Sequence, residues 1–109
     1  MNVTYKTNDL KKICTVEKEM RKRRGDVAKR LRLRIAALET WPTLQSVIDN
    51  DPLGNWHPLH GDRAGQWAGK LSRNMRLIIT PQATGGVQIE QILAATDVEV
   101  LEIEDYHRG

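Results

Sequence analysis

Apolar residues change their spacing about halfway along this chain, and the change separates a helical first part from a strand-rich second part. Val3-Thr4-Tyr5 is short and β-prone, and Asn8 follows as an N-cap for a segment running through Leu10, Ile13 and Val16. A clearer helix begins after Gly25, capped by Asp26, with Val27, Leu31, Ile35 and Leu38 forming one buried stripe. Lys29 and Arg30 point away from that stripe and Arg34 sits at its edge. Trp41-Pro42 closes the pattern, because proline disfavours helix in the residue before it. The spacing leaves open whether Gly25 breaks or merely bends one long helix.

From Thr43 to Leu59 the chain reads as loop, with turn chemistry in Asp51-Pro52-Leu53-Gly54 and at most one helical turn around Leu44 to Ile48. Beyond it the period becomes two. Gln66 to Leu71 places Trp67, Gly69 and Leu71 on one side, and Arg76 to Thr80 is β-branched and apolar until Pro81 ends it. Val87, Ile89 and the residues to Leu93 make a third run behind the Thr84-Gly85-Gly86 turn, and Val98 to Ile103 makes the last. Helices followed by strands predict α+β, with N-terminal helices packed on an antiparallel sheet, since short turns cannot make parallel crossovers.

Composition narrows the class. The 109 residues, 39% of them apolar, suit one domain over 1–109 with a single core, and Cys14 has no second cysteine to pair with. No apolar run reaches signal-peptide or membrane-span length, so the expectation is a cytoplasmic protein with no membrane role. The net charge is only +3, but between Leu10 and Ile35 eleven basic residues stand against three acidic ones, whereas from Ala36 to Gly109 five stand against ten. Local density of Lys and Arg is what attracts a polyanion, so Arg21, Lys22, Arg23, Arg24, Lys29, Arg30 and Arg34 are candidates for binding RNA or the ribosome; a solvated helix face is the plainer alternative.

Three histidines fall in loops or near the C-terminus: His57, His60 and His107. Imidazole gains and loses protons near neutral pH, so a pair brought together across a sheet would serve as base and acid; each could equally tip a loop into water. A metal site is disfavoured, because Pro58 breaks helical spacing between His57 and His60 and no cysteine or carboxylate cluster completes a ligand set. Arg73 and Arg76 lie at a turn or strand start, where guanidinium groups suit a phosphate or pair with surface carboxylates. Trp67 reads as core, while Trp56 and Tyr106 read either as packing or as base-stacking groups.

The order His57-Pro58-Leu59-His60-Gly61-Asp62-Arg63-Ala64-Gly65-Gln66-Trp67, then Asn74-Met75-Arg76-Leu77-Ile78-Ile79, then Ile103-Glu104-Asp105-Tyr106-His107, resembles the HigB-type toxins of the RelE/ParE superfamily. With the preceding basic region, the resemblance covers most of the chain. It implies helices on a curved antiparallel sheet and a type II toxin that enters the ribosomal A site and cleaves mRNA without metal or other cofactor. The nucleophile would be the RNA's own 2′-hydroxyl, and a HigA-like helix-turn-helix antitoxin would neutralise the toxin. Carried over by position, His57, Asp105 and His107 match residues used for proton transfer and scissile geometry, Tyr106 a residue of the same tail, and Arg73 and Arg76 the basic positions facing the phosphate. His60 departs from a common lysine, exchanging a permanent cation for a titratable one. Within the same superfamily, a ParE-like inhibitor of DNA gyrase is the first alternative, and a catalytically silent RNA- or protein-binding module is the second.

Overall fold

The computed structural model describes residues 1–83 and 88–106. In chain order they form β1 (Asn2–Tyr5), α1 (Asn8–Thr15), α2 (Glu17–Arg24), α3 (Ala28–Thr40), α4 (Leu44–Asn50), a 3-10 turn (Pro52–Gly54), β2 (His57–Pro58), a second 3-10 turn (Gly61–Arg63), β3 (Trp67–Lys70), β4 (Met75–Pro81), α5 (Ile89–Leu93) and β5 (Asp97–Asp105). The architecture is α+β, and among the described residues no helix is long and apolar enough to cross a membrane.

Local capping decides where the helices start, and it corrects two sequence expectations. Thr7, not Asn8, caps α1, its hydroxyl accepting the Leu10 N–H at 3.1 Å. The chain between α2 and α3 turns at Gly25 to Val27, so the basic region is two helices, and Val27 rather than Asp26 stands at the start of α3, with no side-chain cap. The segment expected to be mostly loop contains α4, which begins in a reciprocal capping box: Thr43 accepts the Ser46 N–H at 3.1 Å while the Ser46 hydroxyl oxygen accepts the Thr43 N–H at 2.9 Å.

The sheet runs β1-β5-β4-β3-β2. Its three internal pairings (β5 with β4, β4 with β3, β3 with β2) are antiparallel as expected, but β1 pairs with β5 in parallel, so the sheet is mixed. Short turns impose antiparallel order, yet β1 reaches β5 through everything between them, a crossover long enough for parallel pairing. The run expected as a strand to Leu93 is instead the helix α5. Ile89, Ile92 and Leu93 have helical spacing, and the Gln91 side chain accepts the Gln88 N–H at 3.2 Å. Val87 and the Thr84-Gly85-Gly86 turn lie outside the described residues.

The core lies between the helices and one face of the sheet. Leu31, Ile35 and Leu38 from α3 and Leu44 and Val47 from α4 pack with Trp67, Leu77, Ile79, Val98 and Val100, all buried. In β5 the pairing skips one residue: Ile79 opposes Val100 but Ile78 opposes Glu102, leaving Leu101 as a bulge. A bulge advances side-chain alternation by one position and bends the strand. Val98 and Val100 therefore face the helices, while two and four residues on, Glu102 and Glu104 face away.

Candidate active face

The face of the sheet turned away from the helices gathers several of the chemistry-bearing residues. Residues opposite one another on paired strands share a face. The registers thus set His57, Ala68, Ile78 and Glu102 in one row across the sheet, and Lys70, Arg76 and Glu104 in the next. From His57 to Arg76 is two strand spacings and about two residue rises, roughly 12 Å between Cα atoms.

His57 is placed by the residue before it. Trp56 is buried, and its indole lies against Gly69 and Gly54; a Cβ added at Gly69 would fall 2.5 Å from the six-membered ring, so a larger residue there would displace the tryptophan. The indole N–H donates to Asp51 Oδ2 at 2.9 Å, and Asp51 in turn pairs with Arg34, whose Nη2 donates to Oδ1 at 3.1 Å and whose Nε lies 3.0 Å from Oδ2. The Nε contact is close without being an aligned hydrogen bond, so its contribution is coulombic. A chain of anchors thus runs from α3 through Asp51 and Trp56 to His57. The His57 Nδ1 lies 2.8 Å from the Asn55 carbonyl oxygen, which only accepts. Nδ1 therefore carries the proton in the neutral ring, and the Nε2 lone pair is left to receive one. Asn55 presents that carbonyl from the left-handed region, φ 43°, which asparagine tolerates better than most residues.

Arg63, quoted in the sequence motif but not singled out, lies across the same face. It donates to Gln66 Oε1 at 2.7 Å and reaches Glu102 at 3.3 Å and Glu104 at 3.0 Å. Ala68 and Ile78 are buried on this face. Tyr106 stands over Arg76, whose guanidinium carbon is 5.7 Å from the ring centroid, within cation–π range. The tyrosine hydroxyl is held above its ordinary pKa by burial first and by Glu104 next, so it stays a proton donor. Arg76 also donates to the Ser72 carbonyl at 2.6 Å, which fixes its guanidinium at the β3–β4 turn. Glu102, Glu104, Lys70 and Gln66 carry no distinctive motif in the sequence beyond the Glu-x-Glu spacing of β5.

Other expected site residues lie elsewhere. Asp105 opposes Met75 and so occupies the helix-side face at the sheet's end, while Tyr106, its neighbour, takes the other face. His60 is exposed at the start of the second 3-10 turn. Arg73 is exposed in the β3–β4 turn and lines a cleft of about 700 Å³ together with Lys29 and Arg30 of α3. His107 lies outside the described residues. Among the expected RNA-binding residues, Arg34 is corrected: it is 3% exposed and ion-paired, because its position at the stripe's edge turns it into the protein toward Asp51. Arg21 pairs with Glu17 at 3.1 Å, and Arg23 holds Asp9 through two bonds of 2.6 and 2.9 Å, so both charges are partly neutralised in place. Lys22, Lys29 and Arg30 are exposed and Arg24 is half-buried.

No family model matches the sequence, and no curated protein matches it significantly. In three dimensions the chain is similar to a YoeB/ParE toxin from Agrobacterium tumefaciens, with a TM-score of 0.60 at 15% identity, over 98% of this chain and 100% of that one. The chain has the fold of that toxin.

Proposed function

With that fold as premise, we propose that the chain is the toxin of a toxin–antitoxin pair and that it is a ribosome-dependent endoribonuclease. The observation that carries the reading is the set of groups on two adjoining rows of the open face: an imidazole with Nε2 free to take a proton and, on the same face, a guanidinium held beside a protonated phenol. The reaction such a set suits is attack of a ribose 2′-hydroxyl on its own 3′-phosphate. His57 Nε2 takes the hydroxyl proton, Arg76 offsets charge building on the phosphorane oxygens, and Tyr106 donates a hydrogen bond to it. The bond from phosphorus to the 5′-oxygen then breaks, leaving a cyclic phosphate and a 5′-hydroxyl. His107 supplies the leaving-group proton in this proposal, and Asp105 and His60 act at the margin of the site.

Proton transfer and the cationic clamp each supply a factor of about 100 to 10,000. The ribosome supplies much of the remainder by holding mRNA in a reactive pose. Lys22, Arg24 and their neighbours on α2 meet ribosomal RNA phosphates, the protein works in the cytoplasm, and a HigA-like antitoxin covers it. Primer extension on translating ribosomes tests the reading: codon-positioned cuts support it, and their absence with an active, folded protein ends it.

A gyrase-directed toxin is the second reading, and one observation favours it. Glu102 and Glu104 place two carboxylates on the face where an RNA phosphate would lie, and Arg63 is already engaged by them. Double-strand DNA breaks dependent on gyrase, in place of mRNA cuts, would establish that alternative.

A further inference from the structure

The cleft between α3, the Pro52–Gly54 turn and the β3–β4 turn is a second built feature, separate from the open face. Its floor is preformed. The buried guanidinium of Arg34 donates to the Leu53 carbonyl at 3.3 Å and to the Lys70 carbonyl at 3.0 Å while paired with Asp51, so one side chain ties all three walls together. Its rim carries Lys29, Arg30, Lys70 and Arg73, whose side-chain cations make no hydrogen bond or ion pair with another described residue. Asp26 is the one acid among the lining residues, and Asp51 neutralises Arg34, so the cleft keeps a strong positive excess. Among these cations stand two bare aliphatic side chains, Leu33 at 48% and Leu53 at 77% exposure. Leu33 follows Lys29 by four residues and Arg30 by three, so the three share one face of α3.

We propose that this cleft binds an acidic peptide segment of a partner protein, one that carries aliphatic side chains among its Asp and Glu residues. Charge alone would suit a nucleic acid as well; the leucines decide. Nucleic acid is held by phosphate contacts and by stacking on aromatic or guanidinium planes, and no aromatic residue lines the cleft. Leu33 and Leu53 would gain nothing from a ribose-phosphate chain. Against the aliphatic residues of a peptide they lose their water, while Lys29, Arg30, Lys70 and Arg73 meet its carboxylates at the rim. The inference does not depend on the ribonuclease reading, because its residues differ from those of the open-face row except for Lys70.

The test uses the full chain and three fluorescent probes: a helical peptide of Glu and Leu, a Glu and Ala peptide of equal length and charge, and a single-stranded RNA of equal charge. Anisotropy should show the Glu–Leu peptide binding about tenfold more tightly than the Glu–Ala peptide, since each tenfold needs about 1.4 kcal/mol and partial burial of two leucines reaches that. Leu33→Ala with Leu53→Ala should erase the difference between peptides, and Arg30→Glu with Arg73→Glu should remove binding of both; circular dichroism would verify that each variant folds. Equal affinity for the two peptides, RNA binding that matches the Glu–Leu peptide and is lost in Arg30→Glu with Arg73→Glu, or no peptide binding would each overturn the proposal.

Discussion

Asp51→Ala isolates the anchor beneath His57. Asp51 takes the Trp56 N–H at 2.9 Å and offsets the charge of Arg34, whose side chain is 4% exposed against 12% for its own. Removing the carboxylate leaves a buried guanidinium without its counter-charge, which costs about 3–5 kcal/mol, and strands an indole N–H for about 1 more. Arg34 retains its bonds to the Leu53 and Lys70 carbonyls, and the slight exposure of Asp51 admits water to the gap and to the stranded N–H, so the loss is expected below the sum of about 4–6 kcal/mol, at about 3–4 kcal/mol. Urea denaturation should show it as a fall in midpoint, and thermal unfolding as a loss of about 12–16 °C at roughly 4 °C per kcal/mol for this size. The double variant Arg34→Met with Asp51→Asn, which removes the charge pair but keeps an acceptor for Trp56, should lose less than Asp51→Ala alone. A loss under about 1 kcal/mol for Asp51→Ala is the value of a surface ion pair and would refute the idea that this network is a buried staple.

Three further outcomes are expected. His57→Ala should lower mRNA cleavage about 100- to 10,000-fold with a nearly unchanged melting curve, since the half-buried ring makes one hydrogen bond; undiminished cleavage removes it from the chemistry. The buried Cys14 thiol is pushed up to about 12 by desolvation, so in the native chain it should resist a disulfide reagent until unfolding; its ionisation also favours the unfolded state as pH climbs past about 9, and Cys14→Ala should flatten that alkaline loss. Hydrogen bonds from Arg23 hold Asp9, and from Arg32 and Arg21 hold Glu17, below the usual carboxylate range. Their contribution is present above about pH 4 and lost as pH falls, so Asp9→Asn with Glu17→Gln should narrow the gap in urea midpoint between pH 7 and pH 3.

Elements with a strong local period were legible in the sequence. The stripe of Leu31, Ile35 and Leu38 and the alternation of Trp67, Gly69 and Leu71 each report their own face, since packing requires nothing beyond neighbours three, four or two residues away. What depends on distant partners was not. Nothing near Arg34 shows that Asp51, seventeen residues on, will take its charge, or that Arg63 will reach Glu102 across thirty-nine. The bulge at Leu101 had the largest effect on the candidate site. Strict alternation from Val98 and Val100 would turn Asp105 outward with Glu99; the extra residue exchanges it for Tyr106, so of the two tail residues the motif offered, the phenol and not the carboxylate meets the open face. Ile89 to Leu93 misleads because a short apolar run fits both periods, and the capping bond of Gln91 goes with helix.

The parallel pairing of β1 with β5 also bears on how the protein is born. Among the described residues β1 is an edge strand that pairs with β5 alone, Asn2 opposite Asp97 and Tyr5 opposite Val100, although nearly the whole described chain separates them in sequence. At cellular elongation rates the nascent β1 waits roughly 5–20 s before its mate has been polymerised, and longer until it clears the exit tunnel. Closure of the sheet therefore waits on β5, and until that strand is made the Asn2–Tyr5 edge lacks the backbone partner it has in the folded protein.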